Sequence, residues 1–282
     1  VSSYQYYEFQ AIDRLLTAEE QQAVARLSSR VAPHSRQAVF VYHWGRFPAK
    51  PRQILLRYFD VLFYTSSWGS RQIMFRFPQE AIELESARAY CEPLIVEDYI
   101  SFSTEAGYSL LNVEFHEEGG GEWSGDTGSL SAMLGLRDDI VRGDYRALTL
   151  AWLKVLEVED LLDTVREPPV PPGLKALSPA LRLLVDFLGI DETLLQVAAE
   201  ASGELQVPPA DWLQGAVTRL GEEERNAFLL RLARGEPHLS AALNRKLRAI
   251  APWPGAEPAP QRTVGELQWA AERRRAAVAE AR

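Results

Sequence analysis

The chain has 282 residues, with 39 acids against 30 bases for a formal charge of -9, and 46% of it is hydrophobic, the profile of a soluble globular protein of one or two domains. No run approaches the ~18–20 uncharged apolar residues that cross a bilayer, and the first residues, Val1 to Gln10, lack both the basic and the apolar region of a leader, so no membrane is expected as a partner. A lone cysteine, Cys91, makes no internal disulfide and no zinc site, which places the protein in a reducing cytoplasm, and Lys50, Lys154, Lys175 and Lys246 all lie outside a Gly-x-x-x-x-Gly-Lys-Ser/Thr context, which excludes a P-loop NTPase.

Aromatic usage divides the chain. Residues 1–128 hold 21 of the 28 Phe, Trp and Tyr residues, and aromatics favour half-buried strands where Leu and Ala favour helices. A strand is expected over Tyr4 to Ile12, then a helix from Thr17, whose Thr17-Ala-Glu-Glu20 start has the spacing of a capping box. Gln37 to Trp44 alternates as a second strand, and Pro51 to Phe59 reads as a short helix with proline at its first position. The run Val61 to Tyr64 either extends that helix or forms a short strand. Arg71 to Phe77 is a strand, Gln79 to Tyr90 a helix, and Val96 to Ser103 and Tyr108 to His116 are strands joined across Glu105-Ala106-Gly107 as a hairpin. The order βαβ, then βαβ with an added edge strand, predicts an α+β fold, a ferredoxin-like sheet with an insertion between its halves.

From Ser129 the period turns helical, with a helix pair across Arg142-Gly143-Asp144. The prolines of Pro168 to Gly173 exclude helix and leave an extended spacer or a wrapped connector. Further helices are predicted over Ser178 to Leu188, Asp191 to Ala201, Ala210 to Leu220, Glu222 to Ala233 and Leu239 to Ile250, so residues 129–250 form an all-helical domain. Val170-Pro-Pro172 and Val207-Pro-Pro209 lie 37 residues apart, each leading into helices, but two copies fall short of a solenoid. A Pro-rich linker (251–262) precedes a C-terminal helical arm (263–282) expected to continue past Arg282. Val264, Leu267, Ala271 and Val278 take heptad a/d spacing along that arm, with Arg274 interrupting, as in a coiled coil or partner-docking helix.

Three segments, Tyr4-Gln-Tyr-Tyr-Glu-Phe-Gln-Ala-Ile-Asp-Arg14, Tyr42-His-Trp-Gly45 and Pro168-Pro-Val-Pro-Pro-Gly-Leu174, resemble an uncharacterised family of bacterial proteins over nearly the whole chain, with Leu15 where that family's proline would stand. The resemblance implies an Arg/Glu/Ala-rich helical tail and no activity, so it carries no catalytic residue over.

Chemical motifs are sparse. Asp126-Thr-Gly-Ser129 matches the aspartic-protease tetrad, but a glycine-rich run rather than an apolar strand precedes it and there is no second copy, so a helix cap is the plainer role. Asn112, Glu114 and His116 share one face of their strand, an arrangement able to hold a divalent cation or to act as acid and base, though a solvated strand end explains it as well. Residues 1–128 carry 11 bases and 17 acids, which argues against nucleic acid on the sheet. Residues 225–250 carry six bases, including Arg231, Arg234, Arg245, Lys246 and Arg248, against the single acid Glu236.

The leading expectation is a cytoplasmic, non-enzymatic protein–protein interaction or scaffold module that binds a protein partner through Val264, Leu267, Ala271 and Val278, apolar groups that would otherwise stay wet. It needs no cofactor, metal or catalytic residue. The first alternative is an accessory subunit of a nucleic-acid-handling system, with Arg231, Arg234, Arg245, Lys246 and Arg248 on phosphates. The second is a metal-dependent hydrolase centred on Glu114, His116 and Asp126.

Overall fold

Asp60 turns the chain from a helix into a central strand, and the sheet builds outward from there. In the computed structural model, which describes residues 4–29, 31–45, 47–79, 81–91, 99–117, 130–205, 210–236, 239–251 and 261–280, the first half reads β1 (Gln5–Gln10), α1 (Ala18–Ala25), β2 (Gln37–Tyr42), α2 (Pro51–Tyr58), β3 (Val61–Ser66), β4 (Ser70–Pro78), α3 (Leu84–Arg88), β5 (Ile100–Glu105) and β6 (Tyr108–His116). The six strands form one sheet in the order β2-β1-β3-β4-β6-β5, every neighbouring pair antiparallel. β2 and β3, joined by α2, therefore run parallel with β1 between them, and β4 and β5, joined through α3, run parallel with β6 between them. These two split β-α-β units lie side by side, joined by the β3–β4 hairpin, so the fold is a mixed α/β one, a six-stranded antiparallel sheet followed by helices.

Local chemistry sets the element ends. The Thr17 hydroxyl accepts from the Glu20 N–H at 3.2 Å while the Glu20 carboxylate accepts from the Thr17 N–H at 2.9 Å, the expected capping box. Val61 to Tyr64 is strand: α2 stops at Phe59, whose backbone is extended, and β3 pairs with β1 on one side and β4 on the other. The helix expected from Gln79 begins later, because the Gln79 N–H still donates to the Gly107 carbonyl at 3.2 Å and so prolongs the ladder. Ala106 (φ 52) and Gly107 (φ 81) both adopt positive φ, the signature of a two-residue I′ hairpin turn between β5 and β6.

Each face of the sheet is covered. On one, Tyr7, Phe9, Phe40, Leu62 and Met74 pack with Leu16 and Val24 at α1 and Ile54, Leu55 and Phe59 at α2. The other presents Phe63, Ile73, Phe75, Val113 and Phe115, all buried. There Arg71 donates to the Phe187 carbonyl at 2.9 Å and Arg137 to the Arg76 carbonyl at 2.8 Å.

A 3-10 turn (Leu130–Met133) leads into α4 (Gly135–Val141), α5 (Arg146–Val158), α6 (Pro179–Leu188), α7 (Glu192–Glu200), α8 (Ala210–Thr218), α9 (Glu222–Ala233), α10 (Leu239–Ile250) and α11 (Val264–Glu280). Two compact units divide the chain, and neither is contiguous. Val1–Glu80, Tyr90–Arg137 and Pro179–Gly189 form the sheet unit; Ala81–Ala89, Asp138–Ser178 and Ile190–Arg282 form the helical one. The boundary expected at residue 128 lies outside the described residues, as does most of the linker, and α6 belongs with the sheet rather than with the helices that follow it. The Pro168–Gly173 segment is a wrapped connector, held by the Gly173 N–H on the Gly203 carbonyl at 2.8 Å and by the Ser202 hydroxyl, which donates to the Pro171 carbonyl at 2.8 Å and accepts from the Leu174 N–H at 2.9 Å.

Candidate functional site

In the sheet unit, the register of β4 on β6 sets Ser70 opposite His116 and Gln72 opposite Glu114. The Gln72 amide donates to Asn112 at 2.8 Å and to the Glu114 carboxylate at 2.9 Å, and the Ser70 hydroxyl meets the His116 ring at 3.0 Å. Tyr7 and Tyr64 stack at 4.5 Å on the same face, and burial pushes both phenols above their ordinary value. Glu114 is thus engaged by amides and His116 by a hydroxyl, and Asp126 lies outside the described residues. Among the described residues, no group of three His, Cys, Asp or Glu side chains could hold a metal ion.

Two buried polar clusters escaped the sequence reading. Glu8, fully buried at 0%, accepts from the Tyr6 hydroxyl at 2.6 Å, the Gln10 amide at 2.6 Å and the Gln37 amide at 2.9 Å. Burial, reinforced by that bond to Glu8, pushes the Tyr6 phenol up. Asp60 accepts from the Ile12 and Asp13 N–H groups at 2.6 and 3.0 Å and pairs with Arg76 at 2.7 Å, while Arg137 grips both oxygens of Asp13 at 2.9 and 2.8 Å. Two arginines against two aspartates is neutral and internally bonded. Of the four side chains only the buried Arg76 Nε is left without a hydrogen-bond partner among the described residues, and the charges of the network are spent on one another.

In the helical unit, the arm is folded back. Val264, Leu267 and Ala271 are buried at 0%, 0% and 1%, and α11 packs along α7, so the expectation that these groups stay wet does not hold. Heptad spacing marks an apolar stripe without saying whose surface it meets. Polar contacts fix the same helix: Arg262 binds both Glu167 oxygens at 2.8 and 2.9 Å and the Val197 carbonyl at 2.8 Å, Arg274 pairs with Glu200 and Arg275 with Asp191. Of the four residues only Val278, 52% exposed, is open to a partner.

The five basic candidates sit on or beside α9 and α10, and four of them are engaged within the chain. Arg231 pairs with Glu236, Lys246 with Glu224 at 2.6 Å, and Arg245 and Arg248 donate to the Ala81 and Arg142 carbonyls at 2.7 and 3.3 Å. Arg234 is exposed at the end of α9.

Between α8, α9 and α10 lies an apolar groove of about 440 Å³, lined by Val217 and Leu220, by Phe228, Leu229 and Leu232, and by Leu239 and Leu243, with Arg225 its one charged side chain and Ser240 its one hydroxyl. Beneath it, Ala216, Leu220, Leu247 and Ala251 form a small core. No residue of α9 is buried, and Leu229 and Leu232 stand 62% and 65% exposed on the groove side. Arg225, Phe228, Leu229 and Leu232 follow i, i+3, i+4, i+7, one stripe of a helix. That spacing was legible in the sequence; what it lacked was the information that, among the described residues, no second layer covers it. A second cavity of about 490 Å³ is lined by Leu156, Glu157, Asp191, Leu194, Gln268, Ala271, Glu272 and Arg275. Burial there holds the Glu157 carboxyl above its ordinary value against the pull of the Asp191 N–H and Lys154. At Asp191 burial also pushes upward, but the Leu194 N–H and Arg275 outweigh it and hold that carboxyl low. Glu157 is engaged by the Asp191 N–H at 2.6 Å and Lys154 at 3.3 Å, and Asp191 by the Leu194 N–H at 2.8 Å and Arg275 at 2.9 Å.

No protein-family model matches the chain, and neither a curated protein nor a solved structure matches it at a significant level. No helix among the described residues is long and apolar enough to cross a membrane.

Proposed function

We propose that this is a non-enzymatic docking module that receives a partner protein in the groove between α8, α9 and α10. The observation behind this reading is α9: a helix with no buried residue that nonetheless presents Phe228, Leu229 and Leu232 along one stripe toward an apolar cavity. Apolar patches of this kind, rimmed by charge, mark interaction surfaces more often than accidents of folding. The sheet unit, with its split β-α-β connections, we read as a ferredoxin-like variant, and the lone cysteine fits a cytoplasmic setting. The nucleic-acid reading keeps Arg234 as its best residue but has less to rest on, since Arg231 and Lys246 already face carboxylates. The hydrolase reading rests on Glu114 and His116, which amide and hydroxyl partners already occupy.

The test is affinity purification of the full chain from its native host with nuclease present, beside a Leu229→Asp/Leu232→Asp variant. Both leucines are exposed, so the variant should melt with the wild type. A discrete protein that survives nuclease and vanishes with the variant supports docking at the groove. One retained equally by both proteins places the contact elsewhere, and recovery that depends on nucleic acid moves the reading to the basic residues.

A further inference from the structure

We infer that the groove's occupant is an acidic amphipathic helix of a partner protein, an inference that rests on the docking reading above. Length comes first. The stripe from Arg225 to Leu232 covers two turns of α9, roughly 10 Å at 1.5 Å per residue. That is the span of a bound helix's apolar anchors at i, i+3 or i+4, and i+7. Walls contributed by three helices, with leucines standing proud of the floor, suit a ridged cylinder lying along them. They suit a sheet edge poorly, because helix walls present no open strand to pair with and the mid-helix N–H and C=O groups are committed to their own ladders.

Charge decides which helix. Among the described residues Arg225 is the only charged side chain lining the groove, and it has no carboxylate partner among them. Arg248, on α10, holds a neutral carbonyl rather than an acid, so its charge is not cancelled there. From Glu222 to Ile250, the span of α9 and α10, six bases stand against four acids, and with Arg231 and Lys246 paired to Glu236 and Glu224 the surface keeps a small positive excess in a chain whose net charge is -9. A partner with glutamates flanking its apolar anchors would be drawn to this surface and repelled by the rest of the molecule, which fixes where it lands. The same sign argues against a second copy of this chain seating groove on groove, since that would set Arg225 against Arg225.

The probe is a labelled designed helix with leucines at i, i+3, i+4 and i+7 and glutamates elsewhere, measured by fluorescence anisotropy against the full-length protein, with a lysine-for-glutamate counterpart and oleate as comparators. The acidic peptide should bind at least ~10-fold tighter than the basic one at low salt, with the gap closing as salt rises. Arg225→Glu should invert that order, and Leu229→Asp/Leu232→Asp should abolish binding of both. Equal binding of the two peptides, or an order that Arg225→Glu does not change, overturns the acidic partner while leaving a docking groove. Stoichiometric oleate binding that excludes the acidic peptide overturns it in favour of an acyl ligand. Binding that the leucine variant leaves intact sinks the docking reading itself.

Discussion

Leu267→Ala separates an arm that clamps its own chain from one that waits for a partner. Leu267 is 0% exposed, flanked along α11 by Val264 at 0% and Ala271 at 1%, in the contact of α11 with α7. Deleting a fully buried leucine side chain costs about 2–5 kcal/mol, part lost transfer energy and part cavity, and the middle of that range, roughly 3 kcal/mol, applies to a site on a helix pinned by ion pairs at Arg274 and Arg275. For a chain of this length each kcal/mol moves the melting temperature by about 2–4 °C, so the variant should melt some ~6–12 °C below the wild type. Thermal unfolding followed by far-UV circular dichroism reads this directly. Val278→Glu, at a position 52% exposed, should stay within ~0.5 kcal/mol of the wild type. A partner-seeking arm would show no loss for either change in the isolated protein. Leu267→Ala melting with the wild type, or Val278→Glu falling as far, would refute the packing argument.

Arg137→Met removes both guanidinium bonds to Asp13 and the one to the Arg76 carbonyl and should cost about 3–5 kcal/mol, with Asp13→Asn on top recovering part of it. A double-mutant cycle with coupling under ~0.5 kcal/mol would contradict the network. Gly69→Ala should destabilise by ~2 kcal/mol or more in urea, because at φ +90 its Cβ would lie 2.0 Å from the Glu117 carbonyl oxygen; an unchanged midpoint would mean the β3–β4 turn is built otherwise. The Glu20 carboxyl, held low chiefly by Arg14 and then by the Thr17 N–H, should titrate at about 2 by NMR and move back toward 4.5 in Arg14→Met. Because its folded pKa is depressed, the pair stabilises above the unfolded value and that stability is lost as pH falls from 4.5 to about 2. With Arg14 48% exposed the contribution is at most ~1 kcal/mol, and a gap between variant and wild type that persists at the acid end would tell against the assignment.

What could be read from the residues was local. Thr17 and Glu20 cap α1 as their spacing predicts, Pro51 opens α2, and the β5–β6 turn falls at Ala106-Gly107, since each depends only on neighbours in the chain. Val61 to Tyr64 resisted assignment because a short apolar run has no period to separate helix from strand; pairing with β1 and β4 decided it, and that information is non-local. Nothing in the sequence of β1 marks Glu8 as buried, a carboxylate between Tyr6 and Gln10 on one side of the strand. It is buried because β1 is buried along its whole length on both faces, and three donors make the burial tolerable. The arm failed for the same reason. Its stripe was visible, but α7, which receives it, was separated by more than sixty residues and carries no mark of pairing.

The contrast between α5 and α9 bears most on function. α5 is buried continuously from Arg146 to Leu156, has no acid in its first turn and no base in its last, and owes its helicity to packing. α9, at 12 residues, sits at the margin where an isolated helix stops being stable in water, about 12–15 residues, and buries none of its own. Charge holds it instead: Glu222, Glu223 and Glu224 at the positive end of the helix dipole, Arg231 at the negative end, and ion pairs from Glu224 to Lys246 and Arg231 to Glu236. A helix stabilised in this way keeps its shape with its leucines wet, so the groove exists before anything occupies it. Full burial of a leucine is worth about 1.5–3 kcal/mol. At 62% and 65% exposure, covering Leu229 and Leu232 therefore contributes roughly 2–4 kcal/mol in all. A micromolar complex requires about 8 kcal/mol net of the cost of association. The leucines alone fall short of that, so a partner in the proposed groove would have to draw on Phe228, Val217 and the charge of Arg225 together, and its contact would be reversible, weak in salt and sensitive to a single change at Arg225.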